Sequence, residues 1–179
     1  MKNDNLFVIT GGPGAGKTAV LRELERRGYK SSEEAARQII QEQVKIGGDA
    51  LPWANTSRYA ELMLIKSIEA YISNTPSSQI LFMDRGVPDI ACYLRLIGLP
   101  VSEDLRIACE SYRYNVKVFM APPWKEIYTT DTERKQTWEE AVTTHNRMVE
   151  VYEEFGYQPI NIPKLSPAER AEFIITRLL

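Results

Sequence analysis

Apolar positions along the chain alternate between two rhythms. Short unbroken runs read as buried strands, and stripes recurring every three or four residues read as helices packed on one face. Leu6 to Thr10 opens the series as a strand. Ala19, Val20, Leu21 and Leu24 then share one helical face that ends at Gly28. Tyr29 to Ser31 predicts a short second strand. A helix striped by Ala36, Ile39, Ile40 and Val44 follows, stopped by Gly47-Gly48, with Ser31 and Glu34 spaced as a capping box at its start. Tyr59, Leu62, Ile65, Ile68 and Ile72 mark a third helix, and Ile80 to Met83 a buried third strand that runs into Asp84. Pro88 opens a helix with Ile90, Leu94 and Ile97 inward, and Ser102 caps the next. Val116 to Met120 is a strand stopped by Pro122-Pro123. Thr137 with Glu140 caps a long helix, Tyr157 to Ile162 is the last strand, and Ser166-Pro167-Ala168-Glu169 opens the terminal helix. Strands alternating with helices in this way predict an α/β fold of three layers around a five-stranded parallel sheet. The long connections, Gly47 to Asn55 and Pro122 to Gln136, stand out as segments with work to do.

A chain of 179 residues and 20.5 kDa is read as a single domain, 1–179. With 22 basic and 24 acidic side chains the net charge is −2, so neither nucleic acid nor an anionic membrane surface is expected as a partner, and any anion site must be local. No apolar run approaches the roughly 18 residues of a membrane span. The four apolar residues Leu6 to Ile9 are too few for a secretion signal, and Cys92, Cys109 and His145 lack metal-ligand spacing. A cytoplasmic location is the expectation.

Gly11-Gly12-Pro13-Gly14-Ala15-Gly16-Lys17-Thr18 is a glycine, four residues, then Gly-Lys-Thr, set after a strand and before a helix. At average residue usage that pattern arises by accident in a chain of this length with a probability on the order of 0.4%. Its glycines let successive N–H groups turn onto phosphate oxygens while the helix presents its positive end. Lys17 is placed to reach the terminal phosphates of ATP, and the Thr18 hydroxyl to ligate Mg²⁺. Asp84, at the end of a buried strand, suits either of two duties, holding a magnesium-bound water or accepting a proton from an attacking hydroxyl. Arg85 offers donors to a phosphoryl oxygen, and Gly86 permits a sharp turn. Asp89, in the first turn of the next helix, is explained by the helix dipole alone.

Glu33, Glu34 and Arg37 follow the second strand at the sheet edge where open α/β folds bind ligands, so Glu34 and Arg37 are candidate substrate contacts. Residues 122–136 read as a lid in which Arg134 and Lys135 would neutralise charge on a transferring phosphoryl group. Trp53 and Trp124 lie in loops, where they would stack on a base or anchor the loop. His145 falls on an apolar stripe, as a packed core histidine does.

The phosphate loop resembles that of nucleotide kinases. Together with Glu34-Ala35-Ala36-Arg37, Asp84-Arg85-Gly86-Val87-Pro88-Asp89, Pro122-Pro123-Trp124-Lys125-Glu126-Ile127-Tyr128 and Asp131-Thr132-Glu133-Arg134-Lys135-Gln136, it resembles a bacterial family of small predicted ATPases with an AAA-like P-loop domain. That family is related to ribosylnicotinamide kinase domains. The resemblance implies a kinase-like P-loop fold using ATP and Mg²⁺. Within these 179 residues the helical second domain of true AAA ATPases is not expected. The expected function is phosphoryl transfer to a small hydroxyl-bearing, nucleoside- or riboside-like acceptor presented to Asp84. The alternatives are a nucleotide-dependent hydrolase or switch without an acceptor, and a non-catalytic nucleotide-binding module.

Overall fold

The strand and helix rhythms resolve into a sheet with helices on both faces. The structure, a computed structural model, describes residues 2–75, 78–127 and 137–178. In chain order the elements are β1 (Leu6–Gly11), α1 (Lys17–Arg26), β2 (Lys30–Ser31), α2 (Ala35–Ile46), α3 (Thr56–Asn74), β3 (Leu81–Asp84), α4 (Pro88–Leu96), α5 (Glu103–Ser111), β4 (Lys117–Ala121), α6 (Trp138–Glu154), β5 (Gln158–Asn161) and α7 (Pro167–Ile175). The five strands run parallel in the order β2-β3-β1-β4-β5.

Parallel neighbours need long crossovers, and the helices supply them. All six residues of β1 are buried, because this central strand is covered on both faces. Its period of two sends Leu6 and Val8 into one core with α2 to α6. Phe7 and Ile9 enter the other, with Val20, Leu21 and Leu24 of α1 and Ala171 and Ile174 of α7.

The capping boxes of α6 (Thr137, Glu140) and α7 (Ser166, Glu169) are complete, and Ser102 caps α5. The box expected from Ser31 and Glu34 does not form. Ser31 donates to Glu25 instead, and α2 starts at Ala35 with Glu34 as an N-cap that makes no side-chain cap bond. The Glu34 carboxylate is held by two cations, and a charge-assisted pair is stronger than one bond to a backbone amide. Val44, Ile65, Ile72 and Ile97, placed on inward stripes by periodicity, are 42–61% exposed. For α3 the reason is its position: it packs on α2 and α4 at the edge of the layer and buries only Tyr59, Ala60, Met63 and Tyr71. No helix among the described residues is long and apolar enough to cross a membrane.

Candidate active site

The loop after β1 emerges at the carboxyl end of the central strand, where crossovers leave in opposite directions and open a crevice. Gly14 and Gly16 take left-handed conformations (φ 76° and 75°), and Gly16 is the N-cap of α1. At Gly16 a side chain would be strained by that φ and would also strike Arg170, whose Nη1 lies 2.7 Å from where a Cβ would stand. Lys17, the first residue of α1, is buried, and Thr18 beside it is exposed on the crevice wall.

Parallel pairing sets Asp84 opposite Ile9, and so brings the end of β3 beside the loop. Lys17 Nζ forms an ion pair with Asp84 Oδ1 and lies 3.9 Å from Glu34 Oε2. The Asp84 N–H donates to Ser32 Oγ at 2.9 Å. Arg85 follows at φ 73°, the single non-glycine residue with positive φ among those described. Such a conformation costs of order 1–3 kcal/mol and persists where the surroundings over-determine it. Here they do. The Arg85 N–H bonds Ile9 O at 3.1 Å, Nε donates to Glu34 at 2.7 Å, and Nη1 donates to Asp89 at 3.1 Å. Gly86 then lets the chain pass under α6, since a Cβ there would stand 2.9 Å from Tyr152 Oη and 3.1 Å from Val8 Cγ2.

Asp89 does more than meet a helix dipole. It is buried and accepts from Thr10 Oγ1, Arg85 Nη1, the Gly86 N–H (2.9 Å) and Tyr152 Oη (2.5 Å). Four donors from β1, the turn between β3 and α4, and α6 therefore converge on one carboxylate. Its i+4 spacing from Arg85 is the trace visible in sequence; Thr10 and Tyr152 leave none.

The two carboxylates beside Lys17 are pushed apart. Burial works to raise Glu34, but Arg85 and Lys17 together overcome it and hold Glu34 at about 2. Asp84 moves up, because burial and the neighbouring Glu34 charge outweigh Lys17. For Arg85, burial is outweighed by Glu34 and Asp89, and its pKa rises.

Glu33, in contrast, is exposed and accepts from Gln38 along the helix surface. Arg37 stands at the rim, its side chain 58% exposed and its Nε 4.0 Å from Glu34. Inside, two cations (Lys17, Arg85) face three carboxylates (Glu34, Asp84, Asp89), so the interior is not itself cationic. A polyphosphate entering there needs added positive charge. The Thr18 hydroxyl and Asp84 carboxylate are hard oxygen donors of the kind Mg²⁺ takes one or two of alongside phosphate and water, so the residues fit that ion. Among the described residues no larger His/Cys/Asp/Glu cluster forms a protein-only metal cage.

The crevice, about 1580 Å³ in all, runs from the loop into a cleft between α2, α3 and α4 walled by Ile40, Trp53, Tyr59, Met63, Tyr93 and Leu96. Tyr59 and Tyr93 meet edge to face at 5.7 Å, and the buried Tyr93 hydroxyl has no hydrogen-bond partner among the described residues. Trp53 is 68% exposed on the wall of the cleft. Trp124 is turned elsewhere, 5.9 Å from the Arg170 guanidinium. His145 is buried in α6, and burial lowers its pKa. Arg134 and Lys135, with most of the expected lid, lie outside the described residues.

A parallel five-stranded sheet, a phosphate loop leaving its central strand and an Asp-Arg corner leaving the neighbouring one define a P-loop kinase-like domain. The profile of the family described as an AAA domain matches residues 6–170, and the chain belongs to that family. A comparison with curated protein sequences finds no match. Among solved structures the chain is similar to NadR protein in complex with NR (TM-score 0.75, 21% identity, 98% of this chain and 51% of that one). It is also similar to deoxyadenosine kinase from M. mycoides with its products bound (0.66, 14%, 97% and 98%). A third is shikimate kinase from Acinetobacter baumannii with shikimate (0.54, 15%, 98% and 93%). The chain spans about half the length of the NadR structure. At these identities the likeness is one of fold.

Proposed function

We propose that the protein is an ATP- and Mg²⁺-dependent phosphotransferase whose acceptor is a small, hydroxyl-bearing, nucleoside- or riboside-like molecule. The observation that carries this reading is the position of Asp84. It stands beside Lys17 of the phosphate loop and at the head of a cleft that runs on past it, with a pKa displaced upward. A hydrolase needs room for one water; the aromatic wall beyond Asp84 suits a ring-bearing acceptor. Kinase-like neighbours in complex with NR, with dCMP and dCDP, and with shikimate support the class.

In this reading the amides of Gly11 to Thr18 cradle the phosphates, and Lys17 leaves Asp84 and Glu34 for the terminal phosphates. The Thr18 hydroxyl, and the Asp84 carboxylate through water, would hold Mg²⁺, whose charge would offset that of the phosphates. The acceptor oxygen attacks the γ-phosphorus as the bond to the β–γ bridging oxygen breaks, and its proton passes to Asp84. Glu34 and Asp89 grip Arg85 by Nε and Nη1, which leaves its remaining donors for the transferring phosphoryl group. Glu34 and Arg37 flank the acceptor, and Arg134 and Lys135 are assigned the closing charges.

The test is ADP release from ATP and Mg²⁺ across a panel of nucleosides, ribosides and small alcohols, with product mass confirming a phosphorylated acceptor. Lys17→Ala should fall at least about 10²-fold in turnover, as loss of a preorganised donor does, with its circular dichroism unchanged. ADP release that no acceptor accelerates, or wild-type turnover in Lys17→Ala, overturns the reading.

A further inference from the structure

One buried charge near the phosphate loop plays no part so far. Arg170 of α7 is 2% exposed. Among the described residues it forms no ion pair, and its Nε has no hydrogen-bond partner. An unpaired guanidinium in an apolar layer is costly, and arginine does not escape by losing its proton. Burial does draw its pKa down. The side chain is nevertheless firmly placed. Nη2 donates to Ala15 O at 3.1 Å, Nη1 lies beneath Gly16, and the Trp124 ring closes over it at 5.9 Å.

The bonded carbonyl belongs to the Ala15–Gly16 peptide, whose N–H is one of the loop amides. A trans peptide is planar, so its C=O and N–H point in opposite directions. With the carbonyl held toward α7, the Gly16 N–H is directed toward the crevice, which both Ala15 and Gly16 line. Among the described residues none accepts a hydrogen bond from that N–H. A charged donor on the carbonyl also polarises the amide and makes its N–H a stronger donor. Gly16 itself supplies the left-handed φ that this orientation requires.

We infer that Arg170 is a positioning residue for nucleotide phosphate: from behind the loop it sets and polarises the Ala15–Gly16 peptide, and the anionic phosphate chain supplies the countercharge that the chain's described residues do not. The inference rests on the nucleotide-binding part of the proposed function and not on any acceptor.

Calorimetric titration of AMP-PNP with Mg²⁺ into wild type, Arg170→Met, Arg170→Lys and Ile174→Ala tests it, with melting temperatures measured without nucleotide. Ile174 is buried on the same helix, one turn beyond Arg170, and carries no polar group to offer the loop carbonyl, so its truncation reports what loosening α7 does by itself. Arg170→Met should bind tenfold or more weakly and Arg170→Lys should recover part of the loss, while Ile174→Ala melts lower yet binds within threefold of wild type. Binding within twofold of wild type by Arg170→Met overturns the inference, as does an equal loss of affinity in Ile174→Ala. Should Arg170→Met not fold, Arg170→Lys against Ile174→Ala decides, a larger affinity loss in the lysine variant supporting the inference and an equal or smaller one overturning it. Absence of AMP-PNP binding in the wild type is a different result, and it removes the nucleotide reading itself.

Discussion

Truncating Asp89 to alanine removes a buried carboxylate on which two hydroxyls, one backbone N–H and a guanidinium converge. Breaking a buried ion pair from one side costs about 3–5 kcal/mol, because the surviving charge stays desolvated. Arg85 keeps Glu34 at 2.7 Å, which places the ionic part toward the lower end of that range. The stranded Tyr152 hydroxyl and Gly86 N–H, both buried, would each add roughly 1–3 kcal/mol if nothing relaxed. Neighbouring losses do not add, and a water entering the space left behind would recover part, so about 4 kcal/mol is the expected total. Against a typical 5–15 kcal/mol of folding free energy this is a large fraction. In a domain of this size it lowers the melting temperature by about 8–16 °C. Urea denaturation followed by circular dichroism reads it directly. A double-mutant cycle with Tyr152→Phe should show coupling of at least about 1 kcal/mol, because both changes remove the same hydrogen bond. A loss below about 1 kcal/mol for Asp89→Ala would refute the view that this carboxylate organises the Asp-Arg corner.

The Glu34 carboxylate, held at about 2 against an ordinary 4.5, is a depressed acid, so its contribution is present above pH 4.5 and lost as pH falls toward 2. That shift corresponds to about 3 kcal/mol. Wild type should lose that much more stability than Glu34→Gln between pH 5 and pH 2 in denaturant titrations, and parallel curves would contradict the pairing. Asp84, displaced upward, must be ionised to accept a proton, so the acid limb of the kcat/KM profile should lie above the ordinary carboxylate range. In Asp84→Asn that activity should disappear, and a retained acid limb would show that another group titrates. Gly86→Ala places a methyl 2.9 Å from Tyr152 Oη and should cost about 1–3 kcal/mol in the same denaturation assay, whereas a neutral result would mean that α6 yields there.

Much of the fold was legible because local rules and tertiary demands agree. The glycine stops at Gly28 and Gly47 take the left-handed conformations that helix ends favour, and the boxes at Thr137 and Ser166 form where the local spacing puts them. Where tertiary forces compete, local reading fails. The Ser31–Glu34 box gives way to ion pairs with Arg85 and Lys17, and two of the five residues of the expected α3 stripe, Ile65 and Ile72, face outward because the layer ends there.

The chain alone determined the phosphate loop, since its chemistry needs contiguous backbone amides and a lysine at a set spacing, and it determined that Asp84 ends a buried strand. Only tertiary structure decided what those groups meet. Parallel pairing of β1 with β3 carries Asp84 to Lys17, 67 residues away in sequence. The turn at Gly86 delivers Asp89 to Thr10 and Tyr152, and the return of α7 sets Arg170 behind Gly16. Hydrophobic periodicity reports which face of an element is buried. It is silent on which element lies opposite, and the burial and pairing of charge depend on that neighbour.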